Sequence, residues 1–210
     1  MTINSDPQLN DTDLELLSAY IDRQLSDGES FNELVRLFEG RVYTLCYRML
    51  GDADSAADAA QDAFLAAFRN LRSFRGGSFR SWMLRIATNT CYDVLRVRKR
   101  RPSVSLDIEA DDESDSSPLQ IADTAESPDD FAQRRELAAA IQHGLTLLPD
   151  EQRIVLILSD IQGLAYEEIA QITNSNLGTI KSRLSRGRAR LREVLKAGEL
   201  LPTRYRHENE

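Results

Sequence analysis

The sequence predicts an all-α protein: two small helical units joined by a flexible acidic tether. Three observations lead there. Apolar residues recur at spacings of three and four in most of the chain, the signature of helices with one buried face. No stretch alternates apolar and polar residues convincingly enough to be a strand. Residues 102–130 show neither period; they hold ten Asp or Glu, no Lys or Arg, and three prolines. Such a composition buries too little apolar surface to offset the entropy of ordering.

The chain begins with a polar, acidic tail over residues 1–29, with a candidate short helix around "LELLSAYI". The first unit, residues 30–101, opens with Phe31, Leu34, Val35, Phe38, Val42, Leu45, Cys46 and Met49 on one helix face. Gly51 breaks that helix, and Asp52 or Asp54 can cap the next, "SAADAAQDAFLAAFRNL". There Phe64, Phe68 and Leu71 are expected to face inward, and Asp58, Gln61, Asp62 and Leu65 outward. The paired glycines of "RSFRGGS" demand a loop before a third helix over 79–98.

The second unit, residues 131–197, is read as a helix over 131–147 stopped at Pro149, another over 150–160 ended by Gly163, and then a helix pair around "TNSN". In that pair Asn174 suits a left-handed turn and Asn176 an N-cap. The last helix carries Leu177, Ile180, Leu184, Leu191 and Leu195 as its apolar stripe. Residues 198–210 form a short tail.

Charge is segregated along this plan. The whole chain has a formal net charge of −8. Without the tether, 26 cations face 34 − 10 = 24 anions, a balance of +2. Residues 69–101 hold ten Lys or Arg against one acid, Asp93, and residues 181–192 hold six cations and no acid. Helices this cationic suit a polyanion. Ser182, Ser185 and Ala189 are small enough for the last helix to lie close to a major groove. Trp82 reads more readily as core than as a platform for a base.

Several classes are excluded. The longest apolar run, "IVLIL", is far short of the ~20 residues that span a bilayer. Cys46, Cys91, His143 and His207 lack the spacing of a metal site or disulfide framework, so the cysteines are expected to be core residues in a reducing compartment. No phosphate-binding glycine loop or catalytic triad is present, and neither a metal nor a cofactor is expected; the expectation is a protein that is not an enzyme.

Taken together, "FNELVRLFEGRVYTLCYRMLGDADSAADAAQDAFLAAFRNLRSF", "FRSWMLRIATNTCYDVLR" and "LLPDEQRIVLILSDIQGLAYEEIAQI…GTIKSRLSRGRARL" resemble the bacterial RNA polymerase sigma factors of the sigma-70 family, extracytoplasmic-function (ECF) group. The resemblance covers residues 30–101 (sigma region 2, a helical bundle) and 131–195 (region 4, a helix-turn-helix). It implies a factor that binds core polymerase and directs promoter-specific initiation, acting in the cytoplasm and on the nucleoid when polymerase-bound. The implied partners are core polymerase (β′ clamp helices and β flap), promoter DNA and an anti-sigma factor, with no membrane insertion and a monomer when free.

It also implies residue roles. Asp58, Gln61, Asp62, Phe64 and Leu65 match the polymerase-docking surface. Arg72, Phe74, Arg75, Ser78 and Arg80 belong to the loop that captures an unpaired base of the −10 strand; Asn89, Arg96, Arg98, Lys99 and Arg100 continue that surface. Asn176, Gly178, Thr179, Lys181, Ser182, Arg183, Arg186 and Arg190 match the −35 reader. Asn174 stands where many relatives have glycine. A stand-alone helix-turn-helix regulator is the alternative, but it leaves the basic 69–101 region unused.

Overall fold

The computed structural model describes residues 28–74, 77–100 and 128–197. Residues 1–27 (with the candidate tail helix), 75–76 (with Arg75), 101–127 of the acidic segment and 198–210 lie outside the described residues. Among the described residues seven α-helices form two groups: α1 Gly28–Leu50, α2 Ala53–Asn70 and α3 Phe79–Arg100; then α4 Pro128–Thr146, α5 Asp150–Leu156, α6 Tyr166–Ile172 and α7 Leu177–Ala197. Helix α4 starts three residues earlier than the apolar pattern indicates, because Pro128 favours a first helical turn. Among the described residues no helix is long and apolar enough to cross a membrane.

In the first group α1 buries the face its spacing predicts; Phe38, Val42, Leu45, Cys46 and Met49 are each 1% exposed or less. Its end is set by Gly51, whose φ of +91° is a left-handed conformation that favours glycine. Asp52 is then the N-cap of α2: its Oδ1 accepts from the Ser55 N–H at 2.7 Å. Arg98, from the far end of α3, donates to Asp52 Oδ2 at 2.7 Å and to the Leu50 carbonyl at 3.1 Å, closing the corner.

Burial alone would raise the Asp52 carboxyl, but hydrogen bonds from Ser55 and Arg98 outweigh it and hold the group below its ordinary value. A depressed carboxylate stabilises the fold above its unfolded pKa and loses that contribution as pH falls through the folded value. Asp52→Ala is therefore expected to cost about 1–2 kcal/mol at pH 7. The difference from the parent should shrink in acid; urea unfolding of both proteins at neutral and acidic pH checks it.

Helix α2 turns an alanine stripe to the core: Ala56, Ala59, Ala60, Ala63 and Ala67 are buried. This overturns the inward placement of Phe68, which is 53% exposed. The small stripe lets the helix axis sit close to α1 and α3, leaving no room for a large ring between them. Phe68 instead lies at the rim, edge-on to Phe31 with ring centroids 4.9 Å apart. Phe64 is half-buried, and Leu71 is buried as expected. Cys46 and Cys91 are both fully buried, as expected of core residues, but α1 and α3 also place their thiols against each other. Their mutual hydrogen bond and their burial push the Cys91 thiol up.

In the second group α5 does not continue to residue 160 as a plain helix. From Ile157 to Ile161 it widens into a π turn, in which the Gln162 N–H reaches the Ile157 carbonyl at 2.9 Å. Gly163, at φ +68°, ends it. The extra residue turns Gln162 inward, where it is 4% exposed and donates through Nε2 to the Arg41 carbonyl of α1 at 3.0 Å. The helix-turn-helix follows its expected chemistry: Asn174 has φ +48°, and Asn176 Oδ1 accepts from the Thr179 N–H at 2.8 Å. Gly187 lets α7 cross α5 closely, since a Cβ there would stand 3.0 Å from Leu156 Cδ1.

The two groups do not sit apart. One apolar core runs through both, and polar contacts seal the junction. Arg48 donates to Gln142 Oε1 at 3.0 Å, and Gln142 Nε2 to the Tyr47 carbonyl at 3.1 Å. Arg153, only 6% exposed, donates to the Leu145, Thr146 and Leu148 carbonyls of its own half and to the Met49 carbonyl of the other.

Candidate nucleic-acid and polymerase interfaces

The exposed face of α7 is built by the turn before it. The Asn176 cap starts the helix, and Ile180 and Leu184 anchor its underside at 2% exposure or less. That geometry turns Lys181, Ser185, Arg186, Ala189 and Arg190 to the surface. Asn176 and Gly178, at the helix start, are exposed too; Thr179 and Ser182 are half-buried.

The cations of α7 fall into two sets. Arg183 is held by Glu151 and by Ser175 Oγ at 2.9 Å, and Arg188 forks onto Asp160 at 3.0 and 2.6 Å. The Arg188 hydrogen bonds hold the Asp160 carboxyl below its ordinary value despite partial burial. Lys181, Arg190 and Arg192 are exposed and meet no acid among the described residues. Arg186 reaches only back along its own helix, to the Ser182 carbonyl and hydroxyl at 3.2 Å. Long cations without acidic partners are available to phosphates and base edges. Glu151 and Asp160 come from α5 and its π turn, so the spacing within α7 gives no sign of this pairing.

On α2, Asp58, Gln61, Asp62 and Leu65 share one exposed face, with Leu65 45% exposed. Phe64 stands at its edge. Asp62 and Leu65 also border a groove against Arg69, Val94 and Val97. The face combines carboxylates, an amide and an aliphatic side chain, a mixture suited to another protein's surface.

The expected −10 residues are spread over the loop and α3. Phe74 packs on Phe79 and Trp82, with ring centroids 5.5 Å apart in each case. Trp82 is half-buried in this aromatic group, which supports its reading as core. Ser78 caps α3, its Oγ accepting from the Ser81 N–H at 3.2 Å. Arg72, Asn89 and Arg100 are exposed, and Arg96 pairs with Asp93 at 2.9 Å. Arg98 is engaged in the corner at Asp52. Arg75 lies outside the described residues.

Two residues of this surface bind the other half. Arg80 donates to the Gln162 carbonyl, and Lys99 Nζ meets Asp150 Oδ2 at 2.6 Å. Tyr92, beside Lys99, is pushed up to about 12 by burial and then by the Glu151 carboxylate. Neither Gln162 nor Asp150 carries a sequence signal of this role.

A helix-turn-helix with an exposed cationic face, joined to a second helical unit with an exposed mixed face, is an architecture suited to a DNA-binding protein that works with another protein. The chain matches the models for Sigma-70 region 2 over residues 34–101 and Sigma-70, region 4 over residues 138–191. It is 40% identical over 172 residues to the ECF RNA polymerase sigma factor SigW of Bacillus subtilis, covering 81% of this chain and 91% of that protein. It is 36% identical over 173 residues to the RNA polymerase sigma-H factor of Pseudomonas aeruginosa, covering 82% and 89%. Its fold is similar to that of the sigma factor RpoE from Bartonella quintana, solved with the anti-sigma factor NepR: TM-score 0.61, 28% identity, 80% of this chain and 98% of that one. The chain belongs to the sigma-70 family of RNA polymerase sigma factors, in its ECF group.

Proposed function

We propose that this sigma factor divides its work between its two halves. Residues 30–101 dock on core polymerase through Asp58, Gln61, Asp62, Phe64 and Leu65 of α2. They hold the unpaired −10 strand with the 72–81 loop and with Asn89, Arg96, Lys99 and Arg100. Residues 131–197 read the −35 element with Asn176, Gly178, Thr179, Lys181, Ser182, Arg186 and Arg190, with Arg183 steadying the start of α7. The observation that carries this reading is the exposed α7 face, rich in cations without acidic partners, in the same chain as the α2 face.

Strand opening on this reading is driven by binding energy for the unpaired −10 strand. The factor itself performs no catalysis and consumes no nucleotide. It acts in the bacterial cytoplasm, associates with the nucleoid through polymerase, and is held in check by an anti-sigma factor, as the Bartonella quintana relative is seen bound to one.

Run-off transcription tests the proposal. With core polymerase and fragments of the source genome, a defined subset of fragments is expected to yield transcripts only when the protein is added. Binding of specific duplexes without polymerase, with no transcript from any fragment, would instead support a stand-alone regulator.

A further inference from the structure

The first helical group carries an apolar strip left open among the described residues. On α2, Leu65 is 45% exposed and Phe68, one turn on, is 53% exposed. Phe31, near the start of α1, meets Phe68 with ring centroids 4.9 Å apart. On its other side Leu65 borders the groove against α3, about 550 Å³ in volume, with Val94 and Val97 opposite. Apolar residues exposed singly are ordinary, whereas a contiguous strip marks a surface that another element meets. Charge is uneven along it. Arg69 and Arg72 are exposed beside Phe68, while Asp58 and Asp62 lie toward the start of α2.

The segment that leads into α1 fits this strip. Residues 14–25 lie outside the described residues, but their sequence sets Leu14, Leu17, Ile21 and Leu25 at spacings of three and four, one face of a helix. At 1.5 Å per residue that face is about 16 Å long, or three turns of α2. Ser26 and Asp27 alone separate it from Gly28, a connection of the length that joins antiparallel helices. A hairpin there starts beside Phe31, at the cationic end of the strip. Residues 1–27 hold six Asp or Glu against one Arg, and the hairpin brings Asp22 and Asp27 to that same end. We infer that residues 14–25 dock on the strip of Leu65, Phe68 and Phe31 as a helix, and compete there with core polymerase. The competition rests on the reading of α2 as the polymerase-docking face, since Leu65 belongs to both surfaces. A partner for a covered face binds with its affinity reduced by the fraction of molecules in which that face is open.

The test uses the full chain. Amide hydrogen exchange, with and without core polymerase, follows the docking, and a core-binding titration follows the competition. In the free parent, amides 14–25 are expected to exchange more slowly than in Phe68→Ser, which alters the exposed strip, or in Leu17→Asp combined with Ile21→Asp. Adding core polymerase should remove that protection. The Leu17→Asp, Ile21→Asp protein is expected to bind core polymerase about tenfold tighter than the parent, the gain for a cover closed in about nine molecules of ten. Equal exchange in all three proteins would overturn the cover. So would core binding no tighter than the parent's, or protection that grows with protein concentration and so belongs to a second copy. Asp58→Arg, outside the strip, is expected to weaken core binding. If it binds as the parent does while 14–25 stay protected, the α2 docking face is overturned, and the competition with it.

Discussion

Replacing Arg153 with methionine is expected to cost about 3–5 kcal/mol, the largest single-residue loss in the chain outside the apolar core. The guanidinium is almost wholly buried, yet four carbonyl oxygens depend on it. Nε donates to Leu145 at 2.7 Å, Nη2 to Thr146 at 2.7 Å and to Leu148 at 3.0 Å, and Nη1 to Met49 at 2.5 Å. Leu145 and Thr146 are in the last turn of α4, where carbonyls have no partner within their own helix. Burial lowers the pKa of Arg153, and Asp150 beside it pushes the other way, so the group keeps its charge. Methionine matches the apolar stem but leaves all four acceptors unpaired. A large drop in the urea midpoint with little change of slope would agree with this. A loss under about 1 kcal/mol would mean that water replaces the guanidinium.

The second large effect separates two arginines three residues apart. Arg186→Ala is expected to lower transcription from a dependent promoter by about 10–100-fold, the cost of one good base-edge or phosphate contact, with the melting temperature unchanged. Arg183→Ala is expected to act through the fold. Its guanidinium ties the start of α7 to Ser175 and Glu151, and losing that tie should cost about 1–2 kcal/mol of stability. Run-off yield and thermal unfolding, measured on both variants, resolve the pair. If both lose transcription with no change in stability, Arg183 is a direct DNA contact and its partners at Glu151 and Ser175 are incidental.

What could be read from the sequence was local. The buried face of α1, the Asp52 cap, the left-handed Asn174 and the Asn176 cap each depend on a few neighbouring residues, and all stand where the spacing placed them. The exposed α7 cations were legible for the same reason. What escaped was whatever depended on a distant backbone. Phe68 faces outward because five alanines of α2 hold the axis close to its neighbours. Arg153, Gln142 and Gln162 find their acceptors on α1, about a hundred residues away in sequence, and no periodicity encodes a carbonyl. Glu151 and Asp160 withdraw two of the six cations of residues 181–192 in the same way. The packing of the halves onto each other was equally hidden, since its polar contacts are single side chains with no repeating pattern.

The meeting of Cys46 and Cys91 has a practical consequence. They are the two cysteines of the chain, both are fully buried, and both belong to the first helical group. An alkylating reagent can therefore modify the native protein only through an opening of that group, while the second group is chemically silent. Pulse labelling with mass readout would then date the opening of one half against the circular-dichroism signal of both, with no engineered probe. The molecule already carries a clock for the order in which its halves come apart.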